Sequence, residues 1–413
     1  MQKIMRDQAT SSATWETLEA FARAQVQDFI QQLLEDEVTE LLGRPKSARR
    51  AAVDAPPGAR NGHGKPRRLA LMNGTITVQR PRVRDLEERF VSRLLPLFQR
   101  RTPEVSALLP ELYLHGLALG DFELALRGLL GDAAPLSASS LARLKATWQA
   151  QHAAWQQRDL SDVKLVYLWA DGVYVKAGLE DSKAALLVLI GADAEGRKQV
   201  LAVTSGERES IPSWTAVVRD LKARGLCAPK LAIADGHLGI WGAIAAIYPT
   251  SAEQRCWNHK LRNVLDAVPK KRQAEVKAHL QQIASAETMH AATKLRDTFA
   301  RASRRALPKA VECLERDWDR LVAYYAFPQE HWTHLRTTNV IESPFAAVRL
   351  RTSAAKRFKK VDNATTLIWK TLLVVEQHFR KLNAPHLCTA VFDGVVFTDG
   401  VRTLTPTRDR RAA

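Results

Sequence analysis

Cysteine is scarce in this sequence: Cys227, Cys256, Cys313 and Cys388 are the only four, and no two form a Cys-x-x-Cys pair. That disfavours a disulfide framework and an all-cysteine zinc site, so free thiols in a reducing compartment are expected. Long apolar runs are missing too. Nothing approaches the ~18 apolar residues that a membrane span requires, and no charged-then-apolar leader opens residues 1–15. The expectation is a soluble cytoplasmic protein with no membrane partner. Acid is the third shortage, because 44 Asp and Glu face 61 Lys and Arg, a net charge of +17 over 413 residues. With 46% hydrophobic residues, the chain is too apolar for disorder or collagen and long enough for two or three domains with cores. The usual sink for a basic excess is nucleic-acid phosphate, and the alternative is a solvated surface. Its distribution along the chain must decide.

Between residues 15 and 42 the apolar positions Leu18, Phe21, Val26, Phe29, Ile30, Leu33, Val38 and Leu41 recur every three or four residues. That spacing predicts one long amphipathic helix with an acidic opposite face, ending at Gly43 and Pro45. Residues 46–65 read as a linker, and Asn73-Gly74 as the turn of a small hairpin over 67–78. Seven Lys or Arg and no acid lie between residues 60 and 84, which makes Arg67, Arg68, Arg80, Arg82 and Arg84 candidate phosphate contacts. Residues 121–151 have the form helix, glycine-containing turn, helix. In the second helix Ser139, Ser140, Arg143 and Thr147 share a face opposite Leu141, Leu144 and Trp148, which suits either a DNA-reading helix-turn-helix or a plain helical hairpin.

The period then changes. Short strand-like runs at 164–169, 174–178, 184–191 and 199–204 precede a helix opened by Pro212, a strand at 231–234, a helix at 238–248 and a last strand at 253–256. This is an α/β pattern with a mixed sheet. From 261 to 321 the chain reads as an all-helical insertion, after which Ile368, Leu372, Val375, Phe379 and Leu382 form a stripe expected to lie back on the sheet.

Asp171 closely follows the strand at 164–169, and Asp235 directly follows the strand at 231–234, each within Ala-Asp-Gly. Asp-Gly is first of all a turn. Two carboxylates at the ends of adjacent strands also point into one cleft, where a divalent cation lets both ionise. The third candidate is Glu342, in Arg336-Thr-Thr-Asn-Val-Ile-Glu342, with Thr337 or Thr338 as helix cap. Pro344 is tolerated only in a first turn, so the helix that follows is expected to begin late.

Asp171, Asp235 and Glu342, the string Gln254-Arg-Cys-Trp-Asn-His-Lys-Leu-Arg-Asn-Val264 and the Arg336–Glu342 motif together resemble the Mutator-type insertion-sequence transposases. The resemblance runs from about Lys65 to about Pro385. It implies a DDE triad on an RNase H-like fold and a helical insertion between the second Asp and the Glu, which accords with a spacing of 107 from Asp235 to Glu342 against 64 from Asp171 to Asp235. It also implies two Mg2+ or Mn2+ ions held by the triad, one activating a water or a 3′-hydroxyl and the other stabilising the leaving oxygen.

Cys256 and His259 are a family signature in that resemblance; as Cys-x-x-His they invite a zinc reading, but no second ligand pair follows, and packing is preferred. Trp318 and Trp332 are either core or a stacking surface for a flipped base. Arg336 and Asn339 of the motif join the candidate DNA contacts. So does the run 349–360, where six of twelve residues are basic with no acid: Arg349, Arg351, Lys356, Arg357, Lys359 and Lys360. That run reads as a phosphate track beside the metal cleft or as a solvated face.

The expected organisation is an N-terminal helix and linker (1–60), a mainly helical DNA-binding region (61–151), an RNase H-like core in two parts (160–256 and 336–385) around a helical insertion (257–335), and a tail (386–413). The expected function is metal-dependent cleavage and transfer of DNA strands at terminal inverted repeats. The protein would be bacterial, nucleoid-associated when bound, and a homodimer or higher oligomer on DNA. The alternatives are a metal-dependent nuclease or resolvase of the same fold, and a catalytically decayed DNA-binding regulator.

Overall fold

The computed structural model describes residues 14–50, 56–96, 99–117, 138–177, 183–206, 208–236 and 238–403. Two compact units are present, Met1–Leu144 and Lys145–Ala413.

In the first unit α1 (Thr14–Leu42) is a single 29-residue helix, and the chain turns out of it at Gly43 with φ +61°. Its apolar stripe is covered only in part, and Leu41 in the last turn stays exposed. Leu34, Val38 and Leu42 are buried, whereas Leu18, Phe21 and Phe29 are more than half exposed. The acidic face is used internally. Glu35 accepts from Arg60 Nη1 at 2.6 Å and meets His63 Nε2 at 2.5 Å, and the buried Glu37 accepts from Ser92 Oγ and the Arg93 amide, each at 2.5 Å. Two antiparallel pairs stand beside this helix: β1 (Ala59–His63) with β4 (Pro81–Arg84), and β2 (Arg67–Leu71) with β3 (Gly74–Val78). The second pair turns at Asn73-Gly74 as the sequence predicts, with Gly74 at φ +120°. Then α2 (Pro103–Leu114) starts under the Thr102 cap. The first helix and the turn of the expected helix-turn-helix lie outside the described residues; its second helix falls within α3 (Ala138–Gln156).

The second unit is a mixed α/β fold on a five-stranded sheet. Its strands are β5 (Leu165–Lys176), β6 (Lys183–Asp193), β7 (Lys198–Gly206), β8 (Leu231–Ala234) and β9 (Ala252–Arg255), in the order β7-β6-β5-β8-β9. β6 runs antiparallel to both β5 and β7; β8 runs parallel to β5, and β9 parallel to β8. One expectation is corrected here. The runs at 164–169 and 174–178 are one strand, with Asp171 paired to Val188 in mid-ladder, so Asp171-Gly172 makes no turn. Eleven cross-strand pairs between β5 and β6 outweigh the local preference of Asp-Gly.

Alternation along β5 gives the sheet two different faces. Leu168 and Ala170 join the apolar cluster of α4 (Ile211–Ala223) and α5 (Leu238–Ile247), which includes Trp214, Val218, Ile240 and Ile244. Tyr167 and Trp169 point the other way, to the chain around residue 330: the Tyr167 hydroxyl meets His331 Nδ1 at 2.8 Å, and Trp169 Nε1 donates to the His334 carbonyl at 3.1 Å.

Between β9 and residue 338 the described elements are helical: α6 (Trp257–Asp266), α7 (Gln273–Ala284), α8 (Met289–Ser303), α9 (Pro308–Arg316), α10 (Trp318–Val322) and α11 (Trp332–Leu335), with short 3-10 turns. Then α12 (Asn339–Glu342) is one turn, and Pro344 precedes α13 (Phe345–Ala355). The expected late start is therefore a break, with Glu342 on a separate turn before it. Helix α14 (Val361–Glu376) packs on β7, with Ile368 and Leu372 buried and the Glu376 carboxylate accepting the Val200 amide at 3.0 Å. It stops at Glu376, so Phe379 and Leu382 lie beyond the helix. The last described elements are α15 (His386–Phe392) and the pair β10 (Phe397–Thr398) and β11 (Val401–Arg402).

Candidate active site

Register brings the site together. Ala170 on β5 pairs with Ala234 on β8, and Ala234 with Arg255 on β9. The next residue on each strand path is Asp171, Asp235 and Cys256, in one row across strands about 4.8 Å apart. Cys256 is held in that row by its amide, which donates to the Ala234 carbonyl at 2.8 Å. Asp171 also shares the sheet face of Tyr167 and Trp169, and α12, which carries Glu342, packs against β5 and β6. The two aspartates and the glutamate singled out in the sequence are thus assembled at one place.

Carboxyl crowding marks the row electrostatically. Burial pushes the Asp171 carboxyl up to about 7, and the charges of Asp235 and Glu209 add to that. The Gly172 amide, donating to Asp171 Oδ1 at 2.8 Å, and His259 act in the opposite sense. His259 is raised to about 9, first by its hydrogen bond with Cys256, with Glu342 and Asp235 also favouring the cation. Burial opposes ionisation of the Cys256 thiol, but its bonds with His259 and Thr338 outweigh that and hold its pKa below the usual thiol value.

Glu342 is tied to the same pair. His259 Nδ1 lies 3.7 Å from Glu342 Oε1, and the Thr338 hydroxyl donates to that oxygen. Thr338 stands at the cap position of α12, yet its side chain caps no backbone amide; the Asn339 amide donates instead to Thr337 Oγ1 at 3.4 Å.

Comparison with known proteins decides the family, since the model described as "Transposase, Mutator family" matches residues 2–381. The chain belongs to the Mutator family of transposases. It is similar to the transposase for insertion sequence element IS6120 of Mycolicibacterium smegmatis, 45% identical over 296 residues that cover 72% of this chain and 92% of that one. With the transposase for insertion sequence element IST2 of Acidithiobacillus ferrooxidans it shares 44% identity over 279 residues, 67% of this chain and 94% of that one. The transposase for insertion sequence element ISRM5 of Rhizobium meliloti (strain 1021) is 29% identical over 360 residues, 86% and 87% of the two chains. Membership implies a DNA-cleaving and strand-transferring enzyme that uses a divalent cation.

The Mutator-family chain offers such a cation a fitting donor set. Half-buried carboxylates gathered at one place are stabilised by a doubly charged, oxygen-preferring ion. Cys256, His259 and Glu342 also bring ligand-type atoms within 4.8 Å of one another.

One residue of the acidic group was missed from the sequence. Glu209 is 7% exposed, and a Cβ on Gly172 would collide with its carboxylate, so it lies against the β5 backbone beside Asp171. The Tyr174 hydroxyl shares a hydrogen bond with it, and burial followed by that bond raises the tyrosine pKa. A lone glutamate before the Ser210 cap carries no motif that could have flagged it.

The candidate DNA contacts divide. Arg68, Arg82, Arg84, Arg143, Arg349, Lys356, Arg357, Lys359, Lys360 and Asn339 are exposed. Arg80 is half-buried, and Ser139 and Ser140 lie in the first turn of α3. Arg67 is turned onto the Pro96 and Gln99 carbonyls. Arg336 donates to the Ala284 carbonyl at 2.8 Å. Arg351 corrects the basic-run reading: it is 2% exposed, because Phe345, Val348 and Arg351 fall on the inward face of α13. Trp318 and Trp332 are buried as well, at 6% and 4% exposure. Trp318 meets Trp257 edge-on, and Trp332 Nε1 donates to the Phe327 carbonyl at 2.9 Å, so both belong to the core and neither offers a face to a base. Among the described residues no helix is long and apolar enough to cross a membrane.

Proposed function

We infer that this chain cleaves and joins DNA strands at the ends of an insertion sequence, with Asp171, Asp235 and Glu342 as the carboxylate ligands of a DDE site. The observation that carries the reading is the register row, in which the Ala170–Ala234 pairing sets Asp171 beside Asp235, with the Glu342 turn packed against β5 and β6. Three antiparallel strands followed by two parallel ones support an RNase H-like core. The helices between β9 and α12 then read as its insertion.

The ions would be Mg2+ or Mn2+, two per site, held by Asp171, Asp235 and Glu342. When bound they supply the activation of a water or 3′-hydroxyl and the neutralisation of the leaving oxygen. The chain's own part is placement. The sheet fixes the two aspartates to adjacent strands, and the Thr338–His259–Cys256 cluster restrains the glutamate. Arg349, Lys356, Arg357, Lys359 and Lys360 lie close after Glu342 in sequence, and the Phe358 amide, bonded to the Lys176 carbonyl at 2.9 Å, ties the end of that run to β5. That placement supports a phosphate track entering the site. In the N-terminal half, the exposed Arg68, Arg82, Arg84 and Arg143 are the candidate contacts to terminal inverted repeats. The exposed Leu18, Phe21 and Phe29 on α1 support self-association on DNA.

The test is incubation of the full chain with Mg2+ and a duplex spanning the junction between the insertion sequence and its flank, followed by strand mapping. Nicks at the junction and joined products are expected. Nicking without joining would indicate a nuclease, and binding without either would indicate a decayed enzyme.

A further inference from the structure

Glu342 sits on a single helical turn between Thr338 and Pro344. One turn is far below the length at which a helix holds itself, and Pro344 isolates it from α13. Something outside the turn must therefore fix the glutamate side chain.

Thr338 is fully buried and stands at the centre of three functional groups. Its hydroxyl donates to Glu342 Oε1 and lies 3.2 Å from Cys256 Sγ and 3.4 Å from His259 Nδ1; its amide donates to Cys256 Sγ at 3.4 Å. A hydroxyl has one proton and two lone pairs. The proton goes to the carboxylate, which only accepts, and the lone pairs of the hydroxyl oxygen face His259 Nδ1. Cys256 Sγ is met by the Thr338 amide. All groups are thus served at once.

The same arrangement decides what the Cys-x-x-His pair does. Cys256, His259 and Glu342 are close enough together to suggest a metal. Yet the Thr338 oxygen already lies within hydrogen-bonding distance of all three.

We propose that Thr338 is the positioning residue for Glu342, with Cys256 and His259 as its anchors in place of a metal. The proposal rests on the reading of Glu342 as a catalytic ligand. Thr338 touches no substrate; it acts by restraining one carboxylate oxygen.

The test compares Thr338→Val, isosteric without the hydroxyl, and Thr338→Ser, which keeps it, with wild type and Glu342→Gln, on a duplex carrying the junction between the insertion sequence and its flank. Thr338→Val should cleave pre-bound DNA about 10- to 100-fold more slowly, the loss that follows from one charge-assisted hydrogen bond. It should also need more Mg2+ for half-maximal rate, at unchanged DNA affinity. Thr338→Ser should return to within a few-fold of wild type. Thr338→Val at full rate, or Thr338→Ser as slow as a folded Thr338→Val, overturns the proposal while Glu342→Gln is inactive. An active Glu342→Gln overturns the reading of Glu342 itself. Metal analysis of the wild-type chain provides an arm independent of variant folding. Zinc should be substoichiometric, and one zinc per chain that disappears in Cys256→Ser overturns the proposal.

Discussion

Asp171 and Asp235 stand side by side because the residues before them, Ala170 and Ala234, are partners in the parallel register of β5 and β8. Asp171 lies within β5 and Asp235 directly follows the last residue of β8, so the sheet fixes the two backbones side by side. The protein holds two like charges close together, and this arrangement has measurable consequences.

Stability should depend on pH through Asp171. Its folded pKa of about 7 lies above the ordinary carboxylate value of about 3.9, so its favourable contribution is complete below about pH 4 and lost as pH rises through 7. Metal-free wild type should therefore lose stability between pH 5 and pH 8 relative to Asp171→Asn, by about 1 to 3 kcal/mol after allowance for partial exposure. Millimolar Mg2+ at pH 8 should restore the wild type and not the variant. Calorimetric unfolding at both pH values checks this, and an equal difference between the two proteins at pH 5 and pH 8 would contradict it.

A buried ion cluster should matter more for folding than any surface pair. Asp317 accepts from Lys260 and Arg255, whose side chains are only 1% and 8% exposed. Replacing Asp317 by Ala leaves two buried cations without that partner, and a cost of about 3 to 5 kcal/mol is expected in urea unfolding. A cost below about 1 kcal/mol would show that the cluster is solvated.

Gly172 should tolerate no side chain while Glu209 is present, since an alanine Cβ would collide with the Glu209 carboxylate. Gly172→Ala should slow cleavage, and Glu209→Ala added to it should return part of the stability lost. Additive losses in the double variant would show that the two positions do not touch.

Much of this was legible beforehand and some could not have been. The strand at 231–234 and the alternation to either side of it placed Asp235 correctly, because a short apolar run after a proline has few alternatives. Asp171-Gly172 read as a turn, since the pairing that keeps it extended comes from β6, remote in sequence. The basic run after Glu342 gave charge but no direction. Only the helix phase, with Phe345 and Val348 inward, shows that Arg351 follows them. Thr337 or Thr338 read as a cap because Thr before a helical turn usually is one; Thr337 Oγ1 accepts the Asn339 amide, whereas the Thr338 hydroxyl faces a carboxylate brought in by the same turn.

The exposed part of that run should govern salt dependence. Changing Lys356, Arg357, Lys359 and Lys360 together to Gln, in a Glu342→Gln background, should flatten the slope of log affinity against log salt by up to ~3 to 4 units, at ~0.9 per phosphate neutralised. Sequence preference should hardly change. An unaltered slope in filter-binding titrations would place these cations away from DNA.

The most direct measurement of the carboxylate site compares binding and cleavage in Asp171→Asn, Asp235→Asn and Glu342→Gln, on the same end-bearing duplex with Mg2+. Each variant should bind the duplex within a few-fold of wild type and yield no detectable nick, because each loses a metal ligand without losing a phosphate contact. Junction cleavage by any one of them at the wild-type rate would contradict the assignment.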